Sequence, residues 1–136
     1  MAMTTEDLES YFIRMGVHAE EVEEGMWVIP SVDGDTPVVV RAEPPLLLLR
    51  LKVMDLPEDA DDARLASLFR RLLELNATDI VYGSYGIEAS EVILSHALEL
   101  DTLDFQELRN SYESMTMAAS SHMAGLAKLI PVAHEG

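Results

Sequence analysis

One long apolar stripe near the end of the chain restricts the folds available to it. Between residues 103 and 130, apolar residues recur at every third or fourth position. Side chains with that spacing lie on one face of an α-helix. Asp104 and Glu107 have the spacing of a capping box, which begins the helix, and Pro131 ends it because proline has no N–H. The helix is roughly 40 Å long, so its stripe predicts a sheet as the packing partner. The stripe consists of Phe105, Leu108, Tyr112, Met115, Ala119, Met123, Leu126 and Ile130.

The first part of the chain predicts a short helix followed by three strands. Thr4 or Thr5 caps the helix, and Gly16 ends it because glycine readily adopts the left-handed conformation found there. Residues 17–24 are interpreted as an acidic connector. Alternating or continuous apolar residues then predict strands at 25–32, 36–43 and 46–54. Their short links favour an antiparallel meander.

The second part predicts another helix and two more strands before the long helix. Asp59 or Asp61 caps this helix, and Asn76 suits its C-terminal end. The strands are predicted at residues 80–85 and 91–100. The resulting order is α-β-β-β-α-β-β-α, with clustered strands, which predicts an α+β fold whose antiparallel sheet is packed by the long C-terminal helix.

The composition restricts both the architecture and the partners. A chain of 136 residues is expected to form a single domain, residues 1–131, with a short tail at 132–136. The balance of 25 acidic against 9 basic residues, net charge −16, disfavours nucleic acid and anionic membrane surfaces as partners. The absence of cysteine excludes thiol catalysis and cysteine-ligated zinc. No apolar run is long enough to span a bilayer and no secretory signal is visible, so a cytoplasmic protein is expected.

Candidate catalytic motifs are weak. Ser84 lies between Gly83 and Gly86, but this is not the G-x-S-x-G spacing of a nucleophile elbow. The acidic segment 55–62 lacks the central glycine of a calcium-binding loop, and no two histidines have the spacing of a helical zinc site. His96 alternates with leucines and is interpreted as buried or interfacial. We therefore expect no enzyme, no metal and no cofactor; the alternative is a hydrolase or metal-dependent enzyme that uses His96 or the acidic segment.

Apolar residues outside the predicted core indicate binding. Leu46 and Leu48, with Val39 or Val40 nearby, would form an exposed patch unless the first helix covers them, and Val39, Leu46 and Leu48 are the candidate contacts for a protein partner. Three others, Leu68, Leu72 and Ile80, are predicted to contribute to an isologous homodimer contact, because such dimers are the commonest oligomers.

A resemblance adds to this interpretation. It rests on Leu72-Leu73-Glu74-Leu75-Asn76, the segment from Tyr82 to Ile87, Val92-Ile93-Leu94, and Leu98-Glu99-Leu100 before the closing helix. In these segments and in element order, the chain resembles the YbjN family of bacterial sensory-transduction regulators, which share the type III secretion chaperone-like fold.

The resemblance implies a small, cytoplasmic, non-enzymatic and dimeric bacterial protein. Secretion chaperones of this fold bind an extended segment of an effector along apolar grooves. The leading hypothesis is therefore a homodimeric chaperone-like or regulatory adaptor that binds a protein segment by groove packing or strand addition. The alternative is a small-ligand sensor with a pocket between the long helix and the sheet.

Overall fold

The computed structural model describes residues 3–31 and 36–130, which form three helices and six strands. The predicted α+β class is confirmed. In chain order the elements are α1 (Thr5–Met15), β1 (Glu20–Glu23), β2 (Met26–Ile29), β3 (Val38–Glu43), β4 (Leu46–Asp55), α2 (Asp62–Thr78), β5 (Ser84–Glu88), β6 (Glu91–Glu99) and α3 (Phe105–Leu129).

All neighbouring strands of the single sheet are antiparallel, in the order β1-β2-β3-β4-β6-β5. The predicted meander is confirmed as β2-β3-β4. The last hairpin places β6 beside β4, so β5 becomes one edge of the sheet. The other edge is β1, which lies within the segment predicted as a connector. Its side chains are all exposed, which explains why it lacks the alternation that identifies a half-buried strand.

Helix ends follow the expected local chemistry at most positions. Thr4 and Asp104 each form a capping box, with Asp7 and Glu107 respectively, so two N-terminal amides are satisfied at each helix start. Gly16 ends α1 in the left-handed conformation, at φ 76°. The predicted stop at Pro131 and the tail at 132–136 lie outside the described residues.

Two boundaries around α2 differ from the prediction. Asp61 caps the helix, but the helix runs past Asn76 to Thr78, with Asp79 as its C-terminal cap. The next strand begins at Ser84 rather than at residue 80. Asn76 was predicted to end the helix because asparagine tolerates the left-handed backbone conformation. In the structure it lies within the helix, and its side chain bonds the backbone of Tyr85.

The core lies between one face of the sheet and the three helices. Trp27 and Leu49, on the inner face, belong to a cluster that also contains Phe12 of α1, Leu72 of α2 and Met115 of α3. Phe12 meets the Trp27 ring edge-on, with 5.6 Å between the ring centroids. All three helices thus contribute to the same core, and none of the core residues comes from the opposite row of β4.

Candidate protein-binding surface

The opposite side of the sheet, here called the outer face, carries the three residues predicted to bind a partner. Strand register places Val39 opposite Arg50, and Leu48 opposite Arg41. Residues paired across a sheet point to the same face, so these four side chains share the outer face with Leu46. Since α1 packs against Trp27 on the inner face, it does not cover them. Leu46 is 37% exposed, and Val39 and Leu48 are partly exposed.

Strand β6 extends this apolar group across the sheet. Ala97 is paired with Leu48, and Ile93 is paired with Lys52. Ile93 is only 8% exposed although it lies outside the core cluster. Two shallow depressions of about 570 and 400 Å³ meet at Arg50 and Ile93. The outer face therefore combines a small apolar group with two depressions, lined by apolar and charged residues, that are large enough for side chains of a bound segment.

Ion pairs lie among and beside these apolar side chains. Arg50 pairs with Glu88, and the resulting hydrogen bond holds the pKa of Glu88 below its usual value. Lys52 lies 2.9 Å from Asp55 and 3.6 Å from Glu91, and chiefly its hydrogen bond to Asp55 raises the pKa of Lys52. A mixture of apolar and charged side chains is typical of non-obligate protein interfaces.

The two edges of the sheet differ in accessibility. At the β5 edge, the Asn76 side chain accepts a hydrogen bond from the Tyr85 N–H at 2.7 Å and donates one to the Tyr85 carbonyl at 3.2 Å. The amide thereby takes the place of a neighbouring strand. At the other edge, all four residues of β1 are exposed, and three of them are glutamates. Strand addition is therefore obstructed at β5 and sterically open at β1.

The residues predicted for a dimer contact lie in a different part of the molecule. Leu68 is fully buried and Leu72 is 4% exposed, so their side chains serve the core of their own chain. Ile80 is partly buried against that core. Their neighbours Phe69 and Leu73 are 37% and 68% exposed. The sequence analysis did not select this pair, although its spacing of four residues indicates a common helix face.

The candidate catalytic groups are not assembled into a site. His96 stacks edge-on against Tyr82, with 5.9 Å between centroids, and burial lowers the pKa of its imidazole. Ser84 is exposed on β5. Within residues 3–31 and 36–130, no three His, Asp or Glu side chains are grouped closely enough to hold a metal ion.

A hydrogen-bonded chain of side chains that the sequence analysis missed connects α2, β5 and α3. His122 Nδ1 lies 2.8 Å from the Tyr85 hydroxyl, and its Nε2 lies 3.2 Å from Asp79. Burial, with a further contribution from the Asp79 charge, raises the pKa of Tyr85 to about 12. The phenol therefore stays protonated at neutral pH and is a poor nucleophile. The arrangement fastens the end of α2 to the sheet and to α3.

Comparison with solved structures identifies the fold. The chain is similar to YbjN from E. coli, with a TM-score of 0.70 and 11% identity over 92% of this chain and 94% of that chain. It is similar to a chain of the ExoU–SpcU complex from the type III secretion system of Pseudomonas aeruginosa, with a TM-score of 0.66 and 11% identity over 91% and 98%. It is also similar to a chain of the ExsC–ExsE complex, with a TM-score of 0.62 and 17% identity over 98% of this chain and 100% of that chain. No curated protein sequence matches the chain.

These matches define the class: the fold is that of the type III secretion chaperones. More particularly, the chain belongs to the CesT_Tir_1 family, whose model matches residues 1–131. Among the described residues, no helix has the length and apolar character needed to cross a membrane.

Proposed function

We propose that this protein is a chaperone-like or regulatory adaptor that binds a segment of a partner protein on the outer face of its sheet. The observation that carries the proposal is the partly exposed apolar group of Val39, Leu46 and Leu48, beside the ion pairs of Arg50 and Lys52. Membership of the CesT_Tir_1 family supports it. So do two of the similar chains, which come from the heterodimeric ExoU–SpcU complex and from the ExsC–ExsE complex.

The form of the bound segment follows from the surface. An extended segment that adds to the β1 edge lies three strand spacings, roughly 14 Å, from Val39 on β3, so it contacts Val39, Leu46 and Leu48 only where it continues across the outer face. Glu20, Glu21 and Glu23 line that edge, and the whole chain has a net charge of −16. We therefore expect the segment to combine apolar side chains with basic ones, because an acidic segment would be repelled.

We further propose that the protein acts as a homodimer through α2. The exposed pair Phe69 and Leu73 supplies the contact, while the buried Leu68 and Leu72 hold the helix in position for it. Ile80 lies just beyond the end of the same helix and is partly buried there. This division of roles uses one helix for both the core and the interface.

Three further parts of the proposal rest on the family and on the site chemistry together. The protein is non-enzymatic: the raised pKa of Tyr85 and the stacked, partly buried His96 leave no activated nucleophile in the constellations described above. It acts in the cytoplasm, as expected for an acidic chaperone-like protein. We also propose a relation to the YbjN type, for which the support is a similar fold, with a TM-score of 0.70 to YbjN.

The test is capture of partner proteins by two variants with equal charge. Leu46→Asp with Leu48→Asp places two carboxylates in the outer face, whereas Ile13→Asp with Val81→Asp places two at residues that are each 77% exposed elsewhere. Each tagged variant is used as bait in a lysate of the source organism, and captured proteins are quantified by mass spectrometry. We expect the first variant to capture at least tenfold less of the partner than the wild type, and the second variant to capture as much as the wild type.

Circular dichroism and thermal melting establish that both variants fold. If the folded Leu46→Asp/Leu48→Asp protein captures the same partner at the same level as the wild type, the outer face is not the binding surface and the proposal is wrong.

A further inference from the structure

A further cleft lies on the side of the sheet opposite the outer face. It lies between α3 and the inner side of β3 and β4 and has a volume of about 480 Å³. Its floor is formed by Val38, Leu51 and Ala119, each less than 5% exposed. This volume falls within the usual range for small-molecule sites, roughly 300–1,000 Å³.

The walls of the cleft are adaptable rather than rigid. Met117 and Met123 of α3 both line it, and Met117 is 70% exposed. Methionine side chains are unbranched and polarizable, so they adjust to apolar ligands of different shape. An exposed methionine beside a buried apolar floor is therefore suited to closing over a ligand.

The polar groups of the cleft select the charge of its ligand. Glu113 and Tyr112 line it, and no Lys, Arg or His of residues 3–31 and 36–130 does. Arg109 forms an ion pair with Glu113, but its Nε lies 3.9 Å from the carboxylate, beyond hydrogen-bond distance, and its guanidinium lies 5.8 Å from the Phe105 ring. Glu113 thus retains acceptor capacity. Burial, with a smaller contribution from Glu113, raises the pKa of Tyr112, so its phenol remains a donor.

We propose that this cleft binds a small amphiphile with an apolar chain and a cationic amine, the chain over Val38, Leu51 and Ala119 and the amine beside Glu113. A carboxylate of the same shape is excluded by Glu113 and by the chain's net charge of −16. This inference does not rest on the proposed partner-binding face, because the floor of the cleft lies on the inner side of β3 and β4; Thr36 lines both the cleft and the smaller outer-face depression.

The experiment compares three probes of equal chain length: octylamine, octanol and octanoate, each below its micelle concentration. Binding is followed by NMR on protein labelled with ¹³C at the methionine methyl groups. Met117 and Met123 report on the cleft, and Met26, on β2, serves as an internal control. We expect octylamine to shift the cleft methyl signals and to bind at least threefold more tightly than octanol, with no saturable shift from octanoate.

Two variants distinguish specific binding from general attraction to an acidic protein. Glu113→Gln is expected to weaken the binding of octylamine about three- to fivefold. Glu58→Gln changes the net charge equally but lies outside the cleft, so the affinity for octylamine is expected to stay unchanged. Ser120→Trp, at the mouth of the cleft, is expected to abolish the shifts of Met117 and Met123 while the protein keeps its fold.

Three results would overturn the inference. Equal affinity for octylamine and octanoate would remove the role of Glu113. An equal loss in Glu113→Gln and Glu58→Gln would show general charge attraction. Cleft signals that shift with protein concentration alone, and not with any probe, would show that a second copy of the chain covers the cleft.

Discussion

The Asn76 amide provides a sharp test of how the β5 edge is held. In Asn76→Leu the side chain keeps nearly the same size, but Tyr85 loses both the acceptor for its N–H and the donor for its carbonyl. Each unsatisfied, partly buried group costs about 1–3 kcal/mol. Because this edge is only partly buried, we take the lower half of the range and expect a loss of about 2–4 kcal/mol from the free energy of unfolding.

Urea denaturation followed by the fluorescence of Trp27 measures this loss. Trp27 is the single tryptophan of the chain and is fully buried, so its emission reports global unfolding. The control is Asn110→Leu, which removes an amide bonded only to the Gln106 side chain on α3 and is expected to change stability by less than about 0.5 kcal/mol.

Hydrogen exchange separates an edge effect from a packing effect. In Asn76→Leu the Tyr85 amide is expected to exchange faster than the amides of β6, because its partner has been removed while the β5–β6 ladder remains. A loss no larger than that of the Asn110 control, with unchanged exchange at Tyr85, would refute the idea that Asn76 substitutes for a neighbouring strand.

Three further outcomes are expected. Gly83→Ala should destabilise the protein by about 2–4 kcal/mol in the same urea assay, because φ is +87° and a Cβ would lie 2.6 Å from the Ser95 carbonyl oxygen. The control is Gly86→Ala, which should not destabilise the protein because a Cβ there meets nothing within 4 Å. Phe69→Glu with Leu73→Glu should reduce the light-scattering mass from twice 15.1 kDa to 15.1 kDa, whereas a wild-type mass of 15.1 kDa would contradict the α2 dimer. Lowered carboxyl pKa values at Asp7, Asp79 and Glu88 stabilise the fold above the unfolded pKa near 4, so stability should fall as the pH drops below about 4, and an unchanged urea midpoint at pH 3 would contradict this.

Local patterns in the sequence predicted the elements whose side chains face the core. The stripe of α3 identified a helix because each of its members repeats at the helical period, and the Asp104 capping box located its start to the residue. Strand β4 was predicted from four alternate apolar residues, from Leu47 to Val53, and all four are buried in the structure. In these segments local spacing and tertiary burial specify the same structure.

Elements that depend on long-range partners were not predictable in this way. Strand β1 has four exposed residues, and only its pairing with Trp27 and its neighbours in β2 defines it. The sequence favoured Asn76 as a helix terminator because its tertiary partner, nine residues later, was unknown. The cleft beside Glu113 combines β3, β4 and α3, so no single segment contains its pattern.

The same distinction explains why Leu68 and Leu72 were selected for the dimer contact while Phe69 and Leu73 were not. Helix α2 is apolar on more than one face, and spacing alone does not say which face meets the sheet. The packing of Leu68, Leu72 and Leu75 into the core settles the orientation. Phe69 and Leu73 are then left in solvent, beside Arg70 and Glu74, whose side chains form an ion pair at 3.4 Å.

An apolar pair next to an exposed ion pair suits a two-fold symmetric contact. The apolar residues of one copy meet those of the other, and the basic residue of each copy can meet the acidic residue of its partner. The proposed dimer contact through α2 and the proposed partner site on the outer face then use opposite layers of the molecule. In the proposed dimer both outer faces remain free, so we expect it to bind two segments, or one long segment that crosses from one protomer to its partner. A stoichiometry of two chains to one partner would favour the crossing arrangement, and two to two would favour independent sites.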